Sequence, residues 1–184
     1  IFKYDDEHKM DSTGEANKGF SETDEPNFFG SSYSIVKGFT DKIMHQFNEN
    51  VLNLRIRMPI SEQNNKRDFI TKIMGYEKVC NMPNSMTVLN DFFPIWLDML
   101  KKGKTGTYNC TNPGVIDHNT ILGLYRDCVD LEYEWQNFSM EEQDKILLSG
   151  RSNNYLDTLK LEKIYPNITP IKQSIYNLLK DYKK

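Results

Sequence analysis

Short runs of β-forming residues alternate along this chain with longer amphipathic stretches, and that alternation restricts the fold more than any other feature. Residues 51–58 (VLNLRIRM) read as a buried strand ending at Pro59, and 106–110 (GTYNC) as another. Residues 78–80 and 85–89 form two further short runs around a Pro83-Asn84 turn. Between them lie helical patterns at 30–47, 68–74, 91–101, 120–127, 140–148 and 171–181. Their ends carry helix signals: Ser31 or Ser32 before the first, Asp117 or Asn119 before the fourth, and Ser139 with Glu142 as a capping box before the fifth. Strands that alternate with helices build a parallel sheet covered by helices, so the expected class is α/β. Residues 1–4 look like the end of a strand. The polar stretch from Asp5 to Asn27 has no periodicity and is too long for a plain connection, which marks it as a functional loop.

Composition excludes several functions. The 184 residues are 38% hydrophobic and 27% charged, enough for one domain with a sizeable core. Net charge is −3 and the longest basic block is the Lys183-Lys184 tail, so nucleic acid is not an expected partner. Apolar runs such as Ile146-Leu147-Leu148 are far too short to span a bilayer. No secretory signal is visible, and Cys80, Cys110 and Cys128 are widely spaced. These features point to a cytoplasmic setting, with neither a disulfide framework nor a metal site. Three Asn-x-Ser/Thr triplets, at Asn109, Asn137 and Asn167, are read as chance matches.

The chemistry is concentrated at Ser31-Ser32-Tyr33-Ser34-Ile35-Val36-Lys37. Residues i and i+4 of a helix share a face, so the Lys37 ammonium can sit beside the Tyr33 phenol. A neighbouring cation favours phenolate, which makes such a tyrosine a usable acid when hydride reaches a ketone and the new alkoxide needs a proton.

The order of strand, long loop, Ser-x-Tyr-x-x-x-Lys helix, strand and Arg57-Met58-Pro59 resembles an extended short-chain dehydrogenase/reductase. The stretch Arg151-Ser152-Asn153-Asn154-Tyr155-Leu156-Asp157-Thr158-Leu159-Lys160-Leu161 looks like the signature of dTDP-4-dehydrorhamnose reductases. Residues 53–60, 69–73, 83–89 and 111–114 more narrowly resemble the bifunctional nucleotide-rhamnose synthase/epimerase-reductases of plants and giant viruses. That resemblance implies a Rossmann-type reductase with a small substrate-binding lobe. Its cofactor is NADP(H), or NAD(H). Its substrate is a UDP- or dTDP-linked 4-keto-6-deoxyhexose, epimerised at C3 and C5 and reduced at C4 to the L-rhamnose nucleotide. A homodimer is compatible with it. The alternatives are a non-catalytic substrate-binding fragment or a regulatory subunit homologous to the reductases.

By the same resemblance, Tyr33 is the proton donor, and Lys37 tunes it and bonds the nicotinamide ribose. Arg57, Met58 and Pro59 line the nicotinamide pocket. Asn65, Phe69, Lys72, Thr87, Asn112, Arg151 and Asn154 face the nucleotide-sugar. Strands and catalytic helix fall mainly in 1–60 and 85–128, and substrate segments in 61–84 and 112–184. No Gly-x-Gly-x-x-Gly turn occurs in the sequence. The Gly-rich half of the fold, about three βα units of ~30 residues each, is therefore expected outside it. The resemblance also places a catalytic Ser/Thr and an epimerisation Cys just before Ile1. Lys72 is the alternative epimerisation partner. His8, His45 and His118 are expected in surface or cap roles, Trp96 and Trp135 in the core or an interface, and Asp157 and Lys160 in a salt bridge.

Overall fold

The computed structural model describes residues 1–9, 18–62, 67–148 and 150–182. In chain order the elements are α1 (Ser32–Gln46), β1 (Leu52–Arg55), β2 (Pro59–Ile60), α2 (Phe69–Met74), β3 (Lys78–Val79), β4 (Thr87–Val88), α3 (Leu89–Lys101), β5 (Gly106–Asn109), α4 (His118–Cys128), β6 (Gln136–Asn137), α5 (Met140–Leu148), α6 (Leu159–Glu162) and α7 (Ile171–Lys180). The strands form three parallel pairs, β1–β5, β2–β4 and β3–β6. Parallel pairing joined by helical crossovers is the expected α/β arrangement.

Residues 51–58 do not make one strand. Met58 takes φ +41°, a left-handed conformation that is costly outside glycine, and the kink divides the run. Leu52–Arg55 pairs with Gly106–Asn109, whereas Pro59 opens a second strand against Thr87. A proline fits there because the first residue of a strand need not donate to the ladder. Residues 1–4 are extended but belong to no strand. They are held by Tyr4 N–H donating to Asn153 O at 2.8 Å and by Ile1 O accepting from Asn27 and Phe28.

The helix ends follow the side-chain chemistry. Ser31 caps α1 in a reciprocal box with Ser34, Asp68 caps α2, and Asp117 rather than Asn119 caps α4. Ser139 and Glu142 exchange hydrogen bonds at the start of α5, as the capping box requires. At Gly114, φ +89° closes the Asn112-Pro113-Gly114 turn, a conformation that glycine adopts without steric cost.

Two main apolar cores result among the described residues, beside a smaller cluster of Phe2, Phe20 and Leu156. One joins α2, α4 and α7 to β2 and β4 through Ile60, Ile70, Ile73, Met86, Ile121, Leu122, Tyr125, Ile175 and Leu179. The other packs α3 and α6 on β5 through Phe92, Met99, Tyr108, Cys110 and Leu161, with Trp96 partly buried beside it. Each fully buried aliphatic or aromatic side chain is worth about 1.5–3 kcal/mol. Trp135 lies partly buried against the first core and donates to Asn119 at 2.7 Å. Asn109 is fully buried in β5, donating to Phe20 O and Asp157 O, which removes it as a glycan acceptor.

Two local expectations are corrected. Lys160 does not pair with Asp157: its ammonium donates to Thr107 O at 2.7 Å and lies 4.3 Å from the Tyr108 ring centroid, while Asp157 caps the backbone N–H of Leu159. His8 is not on the surface. It is buried, stacked on Phe20 with centroids 3.9 Å apart, and bonded to Asp5.

Candidate active site

Helix α1 begins at the mouth of a cavity of about 460 Å³. The cavity is lined by Tyr33, Ser34, Lys37 and Asp41 from α1, by Asn53, Arg55, Arg57 and Met58 from β1 and the kink after it, and by Ser152 and Asn154 from the signature loop. The helical period puts Tyr33, Lys37 and Asp41 on this one face. The Lys37 ammonium lies 5.9 Å from the Tyr33 ring centroid. Tyr33 is 70% exposed, so its phenol is open to a ligand in the cavity. A second cavity, of about 500 Å³, is lined by Glu22, Asp24, Lys42, His45 and Lys160 and contains neither Tyr33 nor Lys37.

Below Tyr33 and Lys37, Asp41 and Arg55 form a buried two-pronged ion pair, Nε to Oδ1 at 2.9 Å and Nη2 to Oδ2 at 2.7 Å. Asn53 donates to the same carboxylate at 3.0 Å, and Arg55 also donates to the carbonyls of Ser21 and Asp24. The network ties α1, β1 and the segment before α1 into one block. Burial alone would raise the Asp41 carboxyl, but the hydrogen bonds and charge of Arg55 outweigh it and hold it below its ordinary value.

Arg57 is partly buried and has a different environment. Its guanidinium donates to Asn84 Oδ1 at 2.6 Å and to the Ser152 carbonyl, its Nε is shielded without a partner, and no carboxylate pairs with it among the described residues. Burial draws its pKa down to about 10, so it stays cationic at neutral pH. Tyr4 nearby donates to Pro83 O at 3.1 Å, and burial holds its phenol protonated.

The remaining expected site residues divide. Asn154 lines the cavity, 2% exposed, with its Nδ2 on Phe2 O and its Oδ1 unpartnered. Arg151 is exposed, and among the described residues its guanidinium meets Cys80 Sγ, at 3.8 Å. Phe69 and Lys72 lie on α2, Phe69 partly buried and Lys72 exposed. Pro59 is exposed and does not line the cavity. Asn65 lies outside the described residues.

Thr87 and Asn112 do not line the cavity. Both are fully buried, and their side chains are saturated by Arg57 N–H and Cys110 O, and by Val88 N–H, Asp91 and Thr169 O respectively. They brace the strands from behind. Sequence reasoning missed Asp41, Arg55 and Asn84. The spacing of Asp41 from Lys37, one further helical turn, was the available signal for the first. Among the described residues, no group of three or more His, Cys, Asp or Glu is placed to hold a metal. No described helix is long and apolar enough to cross a membrane.

No protein-family model matches the chain. It is 52% identical over 90% of its length to the uncharacterized protein L780 of Acanthamoeba polyphaga mimivirus, covering 57% of that protein. It is 48% identical over 95% of its length to a bifunctional dTDP-4-dehydrorhamnose 3,5-epimerase/dTDP-4-dehydrorhamnose reductase of Arabidopsis thaliana, again covering 57%. The crystal structure of the L780 UDP-rhamnose synthase superposes with a TM-score of 0.87 at 48% identity, over 98% of this chain and 61% of that one. A dTDP-4-dehydrorhamnose reductase of Bacillus anthracis, in complex with NADP, superposes with a TM-score of 0.71 at 13% identity and shares the fold. By sequence and by fold, the chain is a relative of the bifunctional nucleotide-rhamnose epimerase/reductases and spans about 57–61% of the length of L780 and the bifunctional Arabidopsis protein.

Proposed function

We propose that this chain carries the proton-donating and sugar-facing part of an NADP(H)-dependent reductase, in a whole protein that makes UDP-L-rhamnose by epimerising and then reducing the 4-keto-6-deoxyglucose nucleotide. The observation that carries the reading is Tyr33 with Lys37 on a capped helix, exposed at a cavity whose other wall supplies Arg57 and Asn154. The donor set fits the nicotinamide-ribose end of a dinucleotide: an exposed phenol and an exposed ammonium on one helix face at the cavity. The cofactor, when bound, supplies the hydride that reaches ring C4. Tyr33 gives its hydroxyl proton to the C4 oxygen, so the C=O becomes CH–OH and the phenolate is left beside the Lys37 ammonium. Asp41 and Arg55 hold α1 so that both groups face the sugar. Arg57, which has no carboxylate partner among the described residues, offers charge to an anionic ligand. UDP is favoured as the nucleotide because the L780 synthase, at 48% identity, is named for UDP-rhamnose. Three free cysteines fit a reducing, cytoplasmic setting.

The test uses both the 184-residue chain and the complete reading frame. The complete protein is expected to convert UDP-4-keto-6-deoxyglucose and NADPH to UDP-L-rhamnose. The chain alone, which contains no Gly-x-Gly-x-x-Gly turn to cradle a pyrophosphate, is expected to bind NADPH at most weakly by calorimetry. Micromolar NADPH binding by the chain would remove the division of labour proposed here, and no turnover by the complete protein would remove the function.

A further inference from the structure

Asn84 does not line the cavity of Tyr33, yet it holds two residues that do. It lies just ahead of β4, 2% exposed, with all four hydrogen-bonding positions of its amide filled. Oδ1 accepts from Arg57 Nη2 at 2.6 Å and from the Asn154 N–H at 3.0 Å. Nδ2 donates to Met82 O at 3.0 Å and to Asn153 Oδ1 at 3.1 Å. Its backbone exchanges two hydrogen bonds with Ile116, each 3.0 Å, which ties it to the segment leading into α4. The next residue continues the grip: the Ser85 N–H donates to Asn154 O, and Ser85 Oγ accepts from the Leu156 N–H.

Arg57 takes its direction from this junction. Its backbone is bonded to Thr87 through both N–H and C=O. Met58, the next residue, has the single positive φ among the described non-glycine residues, and such strain persists where the surroundings over-determine it. No carboxylate anchors the guanidinium among the described residues. Asn84 Oδ1 orients it, together with the carbonyl and hydroxyl of Ser152. Ser152 and Asn154 line the cavity and flank Asn153, which Asn84 also bonds. A neutral amide fixes a guanidinium without cancelling its charge, as a carboxylate in the same place would. We propose that Asn84 is a positioning residue: it sets Arg57 and the 152–154 loop in the wall across from Tyr33, and so sets how the nucleotide-sugar lies against the proton donor. This rests on the reductase reading above.

The test is steady-state kinetics of the 4-keto reduction by the complete protein, with NMR of the 184-residue chain. Asn84→Ala releases the guanidinium and the loop and leaves Tyr33 and Lys37 in place. It should raise KM for the nucleotide-sugar about tenfold to a hundredfold, since a misplacement of about 1 Å can cost that much, and change kcat by less than about threefold. A residue needed only for folding would do the reverse, lowering the active fraction, and so kcat, at constant KM. In a double-mutant cycle, Arg57→Ala should mask most of the Asn84→Ala loss, because one acts through the other. Because the Ala variant could misfold, the wild-type chain is also read directly: the two Nη groups of Arg57 should give separate NMR signals, as a guanidinium with blocked rotation does. An unchanged KM, fully additive losses, or averaged Arg57 Nη signals in the wild-type chain would overturn this inference and leave the reductase reading standing. No turnover by the wild-type complete protein would overturn both.

Discussion

Tyr33→Phe in the complete protein is expected to lower turnover of the 4-keto reduction by on the order of 10²- to 10⁴-fold, the range for loss of a positioned general acid. KM for the nucleotide-sugar should stay nearly unchanged, because the ring remains and only its proton is lost. The structure makes this substitution unusually clean. Tyr33 is 70% exposed at the cavity mouth, and its hydroxyl makes no hydrogen bond among the described residues. Removal of an exposed, unpartnered hydroxyl usually alters stability by less than about 0.5 kcal/mol, so lost activity could not be assigned to misfolding. The same variant separates two chemistries. Proton exchange at C3 and C5 needs an acid–base pair on the sugar ring, not the proton delivered to the C4 oxygen. Tyr33→Phe should therefore still wash solvent deuterium into C3 and C5 while failing to form rhamnose. A turnover within about threefold of the wild type would remove Tyr33 from the mechanism.

The site was legible in the sequence where local chemistry decides it. The Ser31 cap and the four-residue spacing of Tyr33 and Lys37 fix a helix and a face, and both lie as expected. The strands that position that helix were legible as apolar runs, but their division was not. The break at Met58 is a tertiary requirement: it lets Arg57 bond Thr87 through both backbone groups while Pro59 begins a second pairing. Nothing local in Arg-Met-Pro announces a positive φ at methionine. That Thr87 and Asn112 lie buried outside the cavity was not legible for a related reason. A polar residue near a site can face the ligand or brace the strands behind it, and only the partners distinguish the two. His118 shows the converse, since a residue at a helix start looks like a cap until its ring is found buried and unbonded. Lys160 and Asp157 have the spacing of an ion pair, yet a buried strand carbonyl and the Tyr108 ring take the ammonium first.

Breaking the Asp41–Arg55 pair is expected to have the largest effect on stability. The two side chains are 5% and 3% exposed, so removing one partner leaves a buried charge without its main counter-charge; for Asp41 only the Asn53 amide and His45, at 3.5 Å, remain. Such a break costs about 3–5 kcal/mol. Arg55→Met should lie in that range by urea denaturation, because it strands the Asp41 carboxylate and also releases the carbonyls of Ser21 and Asp24. Asp41→Asn strands Arg55 instead. The double variant Asp41→Leu with Arg55→Met should lose less than the sum of the two single losses, because no unpaired charge remains. The pH dependence has a definite sign. The Asp41 carboxyl is held below its ordinary 3.8 in the folded state, so the unfolded chain takes up its proton first as pH falls. The stabilisation is complete above about pH 5 and is lost as pH falls below 3.8 through the folded value, a loss that Asp41→Asn should not show. Because the pair lies one helical turn from Lys37, the same variants should also loosen the end of α1 that presents Tyr33. Hydrogen exchange of the α1 amides would read this directly. Unchanged protection in Arg55→Met, together with a stability loss below about 1 kcal/mol, would show that the pair does not hold the helix in place.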